Sequence, residues 1–236
     1  MRLQELLDQP GVDERCVLRS SIGFLALHGG SQDRGTELIA ERAADRADAS
    51  YYGIVQPPDR RVHLPSKDHD PSEAPGLRRF LDHVAVAISV HGFGRDSFTF
   101  VLEPERGLVL EPYGPPMRGA QRGPLRGIIL GGRNEELLEQ ARRFLDDRFE
   151  GYHVADRRVR LGFHPRNPAN LPRQHGIQVE LPPGLRGIGP LGERPSPDLD
   201  DPVLTEVTDA LVELAAWAAA NVVTDGPPGP TTPTTG

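Results

Sequence analysis

Ile22-Gly23-Phe24-Leu25-Ala26-Leu27-His28-Gly29-Gly30 is an apolar run that stops abruptly at a histidine and two glycines. A strand ending in a glycine loop is the simplest structure for it. A second run, VAVAISVH over residues 84–91, ends the same way and is followed by Gly92. Continuous apolar segments without polar alternation are what buried strands of a mostly parallel sheet look like. After the first run, GTELIAERAADRA (35–47) has helical spacing, with Thr36 placed to cap its start.

The same alternation extends in both directions. Residues 2–8 form a short amphipathic helix, 51–55 a strand and 76–82 a short helix. Residues 98–102 are a candidate strand, and the Pro/Gly-rich segment 103–123 reads as an insertion. GIIL (127–130) runs into Gly131-Gly132, and NEELLEQARRFLDD (134–147) is an amphipathic helix. GIQVEL (176–181) is a strand, and 202–221 a final helix with Leu204, Val207, Leu211, Leu214, Ala215 and Ala218 on one face. Strands alternating with helices imply a single α/β domain over residues 1–222, a mixed, mostly parallel sheet flanked by helices. The tail, 223–236, contains GPPGPTTPTTG, which buries nothing and is expected to be disordered.

Composition narrows the function classes. Net charge is −7, which argues against a nucleic-acid binder, because gripping a phosphate backbone needs a concentrated basic surface. An anionic substrate remains compatible, since a local arginine cluster overrides the global sign. Cys16 is the only cysteine, which rules out an intramolecular disulfide and a cysteine metal cage. Residues 1–10 (MRLQELLDQP) lack an apolar signal core, and no run approaches the roughly 18 apolar residues of a membrane span. A cytoplasmic monomer without a membrane or nucleic-acid partner is the expectation.

In α/β sheets, ligands gather at the carboxyl ends of the strands. His28 and His91 each stand where a buried strand emerges into a loop, and the glycine after each lets a metal or substrate approach the backbone. Two imidazoles and one carboxylate, with a fourth position for water, make the common layout of a hydrolytic zinc site. Asp33 and Glu37 both follow His28, and spacing alone does not choose between them. In Gln178-Val179-Glu180 the side chains alternate, so Gln178 and Glu180 share a face. A glutamate there is costly to bury unless paired or used; the other explanation is an exposed edge strand. Beside a metal it would suit a general base.

His28-Gly29-Gly30 with Asp33, Gly35 and Thr36 resembles the HGG-x-x-E-x-G-T signature of the poly-γ-glutamate hydrolase family. That family is known from bacteriophages and bacilli, and its fold is related to zinc carboxypeptidases. Other landmarks follow in order. Residues 62–66 (VHLPS) resemble the family's LHITS, 89–92 (SVHG) its S-[IV]-H-G, and 131–134 (GGRN) its GG-x-N. GIQVEL with Arg186 resembles its G-[IV]-Q-[IL]-E-L…R.

The resemblance implies a zinc ion held by His28, His91 and Asp33, with Glu180 acting on the zinc water as base and acid. It also implies an anionic peptide or polyglutamate-like substrate, cut at a γ-glutamyl or related amide bond. Arg186 and Asn170 would bind a substrate carboxylate, helped by Arg95 or Arg133, and His63 would contact substrate or support the site. Two departures stand out. Asp33 replaces the family's usual glutamate with a shorter arm, which keeps Glu37 as a substitute ligand, and Pro65 replaces a threonine. Two rivals remain: a zinc amidohydrolase of small N-acyl amino acids or cell-wall peptides, and a non-catalytic phage-derived module, which the Asp33 substitution favours. His69, His83, His153, His164 and His175 are assigned structural or surface roles.

Overall fold

The computed structural model describes residues 1–94, 99–103, 107–111, 127–155, 162–189 and 192–223. Its centre is a seven-stranded sheet in the order β1-β3-β2-β4-β9-β7-β8. These strands are β1 (Asp13–Val17), β2 (Ile22–Gly30), β3 (Ser50–Gln56), β4 (Val86–Gly92), β7 (Gly127–Gly132), β8 (His153–Ala155) and β9 (Gly176–Leu181). A separate antiparallel hairpin pairs β5 (Thr99–Glu103) with β6 (Gly107–Glu111). Four adjacencies of the large sheet are parallel, β2 with β3, β2 with β4, β4 with β9, and β7 with β8. The pairs β1–β3 and β7–β9 are antiparallel. The mixed, mostly parallel sheet expected from the sequence is what forms.

Side-chain alternation sorts the core into two layers. Phe24 and Ala26 of β2, Ile88 and Val90 of β4, and Ile177 and Val179 of β9 pack on one face. There they meet α2 (Thr36–Arg46), α4 (Glu135–Arg148) and α5 (Pro202–Asn221) through residues such as Ile39, Leu138, Leu211 and Leu214. Leu25, Leu27 and Ala87 face the other way, onto α1 (Leu3–Leu7) and α3 (Pro75–His83) through Leu3, Leu6, Leu77 and Phe80. Each such leucine or phenylalanine contributes roughly 1.5–3 kcal/mol relative to exposure. A helix cap adds about 1 kcal/mol, so the two cores, not the caps, hold the helices in place.

Helix starts differ in one detail from the sequence reading. Asn134 caps α4 as a side-chain acceptor for the Leu137 N–H. At α2 the capping residue is Gly35, not Thr36, and the Thr36 hydroxyl donates to the Asp33 carbonyl. Gly35 is required there: its φ is +90°, and an added Cβ would lie 2.6 Å from the Arg186 carbonyl oxygen. β1 and β8 lie outside the expected strands. The predicted tail 223–236 falls, apart from residue 223, outside the described residues, as does most of the 103–123 insertion.

Candidate metal centre

Simple alternation would separate the two strand-end histidines. On β4, Ser89 and His91 share the face of Ala87; on β2, His28 would fall on the face of Phe24 and Ala26. The structure resolves this with a β-bulge. Ala26 pairs with Gly53 and Gly29 with Val55, so three steps on β2 match two on β3. The extra residue turns His28 onto the face of Leu27, where it meets His91. A bulge at a sheet rim commonly re-aims a side chain in this way.

His28 Nδ1 and His91 Nδ1 lie 3.1 Å apart. Asp33 Oδ2 is 3.3 Å from His28 Nδ1 and 3.7 Å from His91 Nδ1. All three residues are buried. The Asp33 N–H donates to the His28 carbonyl at 2.7 Å, closing the intervening loop tightly enough for the short aspartate arm to reach the imidazoles. Asp33 Oδ2 also accepts the Gly92 N–H at 3.2 Å, which links the two strand ends.

The outer nitrogens fix the chemistry of the inner ones. His28 Nε2 lies 2.8 Å from the Leu64 carbonyl, which only accepts, so Nε2 carries the proton and Nδ1 presents its lone pair inward. His91 Nε2 lies 2.9 Å from Ser89 Oγ, which can accept its proton in the same manner. With His91 in that tautomer, two lone pairs and a carboxylate oxygen face one another, an arrangement that a cation between them would satisfy. Donors held about 2.0–2.1 Å from a tetrahedral zinc stand roughly 3.3 Å apart. The three separations bracket that value, and the outer hydrogen bonds match the usual support for metal-bound histidine. The residues therefore fit a divalent ion.

Burial pushes the Asp33 carboxyl up, but its contacts with the His28 and His91 imidazoles outweigh it and hold the group below the usual carboxylate range. Glu180 behaves oppositely. It is paired in register with His91 across β4 and β9, on the face of Gln178, and burial raises its pKa against the opposing influence of His91. β9 is an interior strand, so the exposed-edge explanation for Glu180 is excluded.

Glu37 stays apart from the three donors. Burial raises its carboxyl pKa against the lowering influence of the backbone N–H groups of Gly30, Glu37 and Gly35. The geometry gathers Asp33 and leaves Glu37 a structural place. His63 stands at the exposed rim, its ring centroid 5.1 Å from that of His28 in an edge-on arrangement.

Arg186 has a different setting from the one expected. It is 3% exposed, and Nε, Nη1 and Nη2 donate to the carbonyls of Leu181, Arg34 and Phe93. Those carbonyls belong to the chain segments that follow Glu180, Asp33 and His91. Burial lowers the guanidinium pKa to about 10, so it is still a cation near neutral pH. An added Cβ on Gly92 would lie 2.5 Å from its Cζ, which makes Gly92 the space the clamp occupies. The guanidinium thus ties the site's three loops together.

Asn170 and Arg133 are likewise placed elsewhere. Asn170 Oδ1 accepts the Arg133 N–H, and its Nδ2 donates to the Gly162 and His164 carbonyls. Arg133 N also donates to Gly176, at the opposite end of β9 from Glu180. Four residue steps along the strand, about 13 Å, separate Gly176 from Glu180. The physical reason is that β7 runs antiparallel to β9, so its Gly131-Gly132 terminus points away from the metal centre. Arg95 lies outside the described residues.

The sequence reading gave His69 a structural or surface role and did not single out Asn167. His69 is buried with its ring centroid 5.5 Å from that of His28, and burial drives its pKa down to about 3, keeping the ring neutral. Its Nδ1 contacts the Pro65 carbonyl, and Nε2 has no hydrogen-bond partner among the described residues. No spacing signal marks either residue; both sit in irregular segments.

A family model described as poly-gamma-glutamate hydrolase matches residues 2–102, the segment that carries His28, Asp33 and His91. The chain resembles that family, as its motifs indicate; Glu180 lies beyond the matched segment. No curated protein sequence matches significantly. Among solved structures, a bacteriophage poly-gamma-glutamate hydrolase is similar at a TM-score of 0.67 and 17% identity, over 92% of this chain and 94% of that one. A protein described as YNDL-apo (Zinc-free) gives 0.63 and 19%, over 93% and 95%. N-formylglutamate amidohydrolase from Ralstonia eutropha JMP134 gives 0.50 and 13%, over 90% and 99%. At these identities the likeness is one of fold. No helix among the described residues is long and apolar enough to cross a membrane.

Proposed function

We propose that this chain is a zinc-dependent amide hydrolase acting on γ-glutamyl bonds of a poly-γ-glutamate-like substrate. One observation carries the reading: His28, His91 and Asp33 converge to within 3.1–3.7 Å, with buried Glu180 in register beside His91 on the same face. The match of residues 2–102 to the poly-gamma-glutamate hydrolase model supports the substrate class.

A divalent ion held by the three donors supplies Lewis acidity, polarising an amide carbonyl and making a water acidic near neutral pH. Glu180 takes the proton of the attacking water and returns it to the leaving amine. Its raised pKa suits a group that must both accept and release that proton. His28 is held by the Leu64 carbonyl and His91 by the Ser89 hydroxyl, which keeps both Nδ1 atoms turned inward. His63 lines the rim and meets the substrate. Arg61, two residues before it, is exposed, and its Nε donates to Gln32 Oε1 beside Asp33. With Arg186 tied to carbonyls, Arg61 is placed to meet a substrate carboxylate through its remaining donors.

Purified protein loaded with zinc is offered poly-γ-glutamate, poly-α-glutamate and N-formylglutamate, with and without chelator. Cleavage of the γ-linked polymer that chelator abolishes and zinc restores is the expected result. Turnover of N-formylglutamate alone would transfer the reading to small N-acyl substrates. Absence of amide cleavage by the zinc-loaded protein would overturn it.

A further inference from the structure

A hydrogen-bond chain enters Glu180 from outside the metal donors. The Ala169 N–H donates to Asn167 Oδ1 at 3.1 Å. Asn167 Nδ2 donates to Gln178 Oε1 at 2.9 Å, and Gln178 Nε2 donates to Glu180 Oε1. Asn167 is 2% and Gln178 5% exposed, so water has little access to replace either bond.

The direction of this chain is imposed from its far end. A backbone N–H can only donate, so Asn167 must turn Oδ1 towards Ala169 and Nδ2 towards Gln178. Gln178 then offers its carbonyl to Asn167 and is left with only its amino group for Glu180. Asn167 is itself fixed, since it caps the 3-10 helix Pro168–Asn170. That helix lies against β4 and β9.

We infer that Asn167 is a positioning residue for Glu180, acting through Gln178. It fixes a donor on Glu180 Oε1, which sets the plane of the carboxylate and leaves Oε2 for the proton of the attacking water. The inference rests on the proposed role of Glu180 as base. It predicts an order of effects opposite to the one expected from packing. Asn167→Asp keeps size and caps a helix as well as asparagine does. Its second oxygen only accepts, so Gln178 must flip to donate to it and turn its own carbonyl onto Glu180. Asn167→Ala loses more volume but leaves Gln178 free to keep its donor on Glu180.

The test measures kcat, KM and zinc content of the full chain for Asn167→Asp, Asn167→Ala, Gln178→Met and Glu180→Gln. For Asn167→Asp, kcat is expected to fall about 10- to 100-fold, the size of loss typical of a supporting hydrogen bond, with KM within about threefold and zinc retained. Asn167→Ala should lose less than Asn167→Asp. A wild-type kcat in Asn167→Asp, or a greater loss in Asn167→Ala, overturns the inference. If Asn167→Asp fails to fold, Gln178→Met decides: kcat falls with KM and zinc kept, and an unchanged kcat overturns it. Glu180→Gln separates the two levels. If it is inactive while Asn167→Asp is fully active, only the positioning role fails; if it is active, the proposed role of Glu180 fails as well.

Discussion

The Nδ1 atoms of His28 and His91 face each other at 3.1 Å although strict strand alternation would put the two side chains on opposite faces of the sheet. One extra residue in β2, between Ala26 and Gly29, makes the meeting possible. The bulge, the tight loop to Asp33 and the Arg186 clamp together gather the His28, His91 and Asp33 donors from strand ends that would otherwise diverge.

His91→Ala should lose bound zinc and amide hydrolysis together. Removing one of three protein donors leaves two, short of the three that hold catalytic zinc. Metal analysis after gel filtration checks this; a His91→Ala protein that keeps stoichiometric zinc would remove His91 from the ligand set.

Glu180→Gln should retain zinc yet lower kcat by about 100-fold or more, the usual contribution of a general acid–base group. KM should change little, because the loss falls on the proton transfers. Normal turnover by this variant would assign the base elsewhere.

Arg186→Met should destabilise the fold by at least about 2 kcal/mol, because three buried carbonyls lose their donor. For a chain of this size that corresponds to a fall in melting temperature of at least about 4 °C. Zinc affinity should weaken in parallel as the three loops loosen. Thermal unfolding with and without zinc reads both; an unchanged midpoint would show that the guanidinium is not a clamp.

Arg61→Ala should raise KM for an anionic polymer about tenfold while leaving kcat and stability near wild type, since the side chain is exposed. Added salt should narrow the difference between the two proteins. A KM insensitive to the change would place carboxylate recognition on another residue.

Much of this was legible in the sequence because apolar runs and their stops report buried strands directly. β2, β4 and β9 were each visible as such runs, and α5 (Pro202–Asn221) by its spacing. The donors His28 and His91 were marked by their position at strand ends. β1 (DERCV) carries three charges in five residues, and β8 is three residues long, so neither shows a pattern. The bulge has no sequence signature apart from the glycines that follow it. The loop-tying place of Arg186 was not legible because its partners are backbone carbonyls, which leave no trace in side-chain identity. Arg133 was misplaced because a strand's direction in the sheet is a tertiary property, and β7 runs against β9.

An anomalous difference map collected at the zinc edge, from crystals grown with zinc, tests the metal centre most directly. A single strong peak about 2.0–2.2 Å from His28 Nδ1, His91 Nδ1 and Asp33 Oδ2 is expected. A zinc peak bound elsewhere, or none at these three atoms, would contradict it.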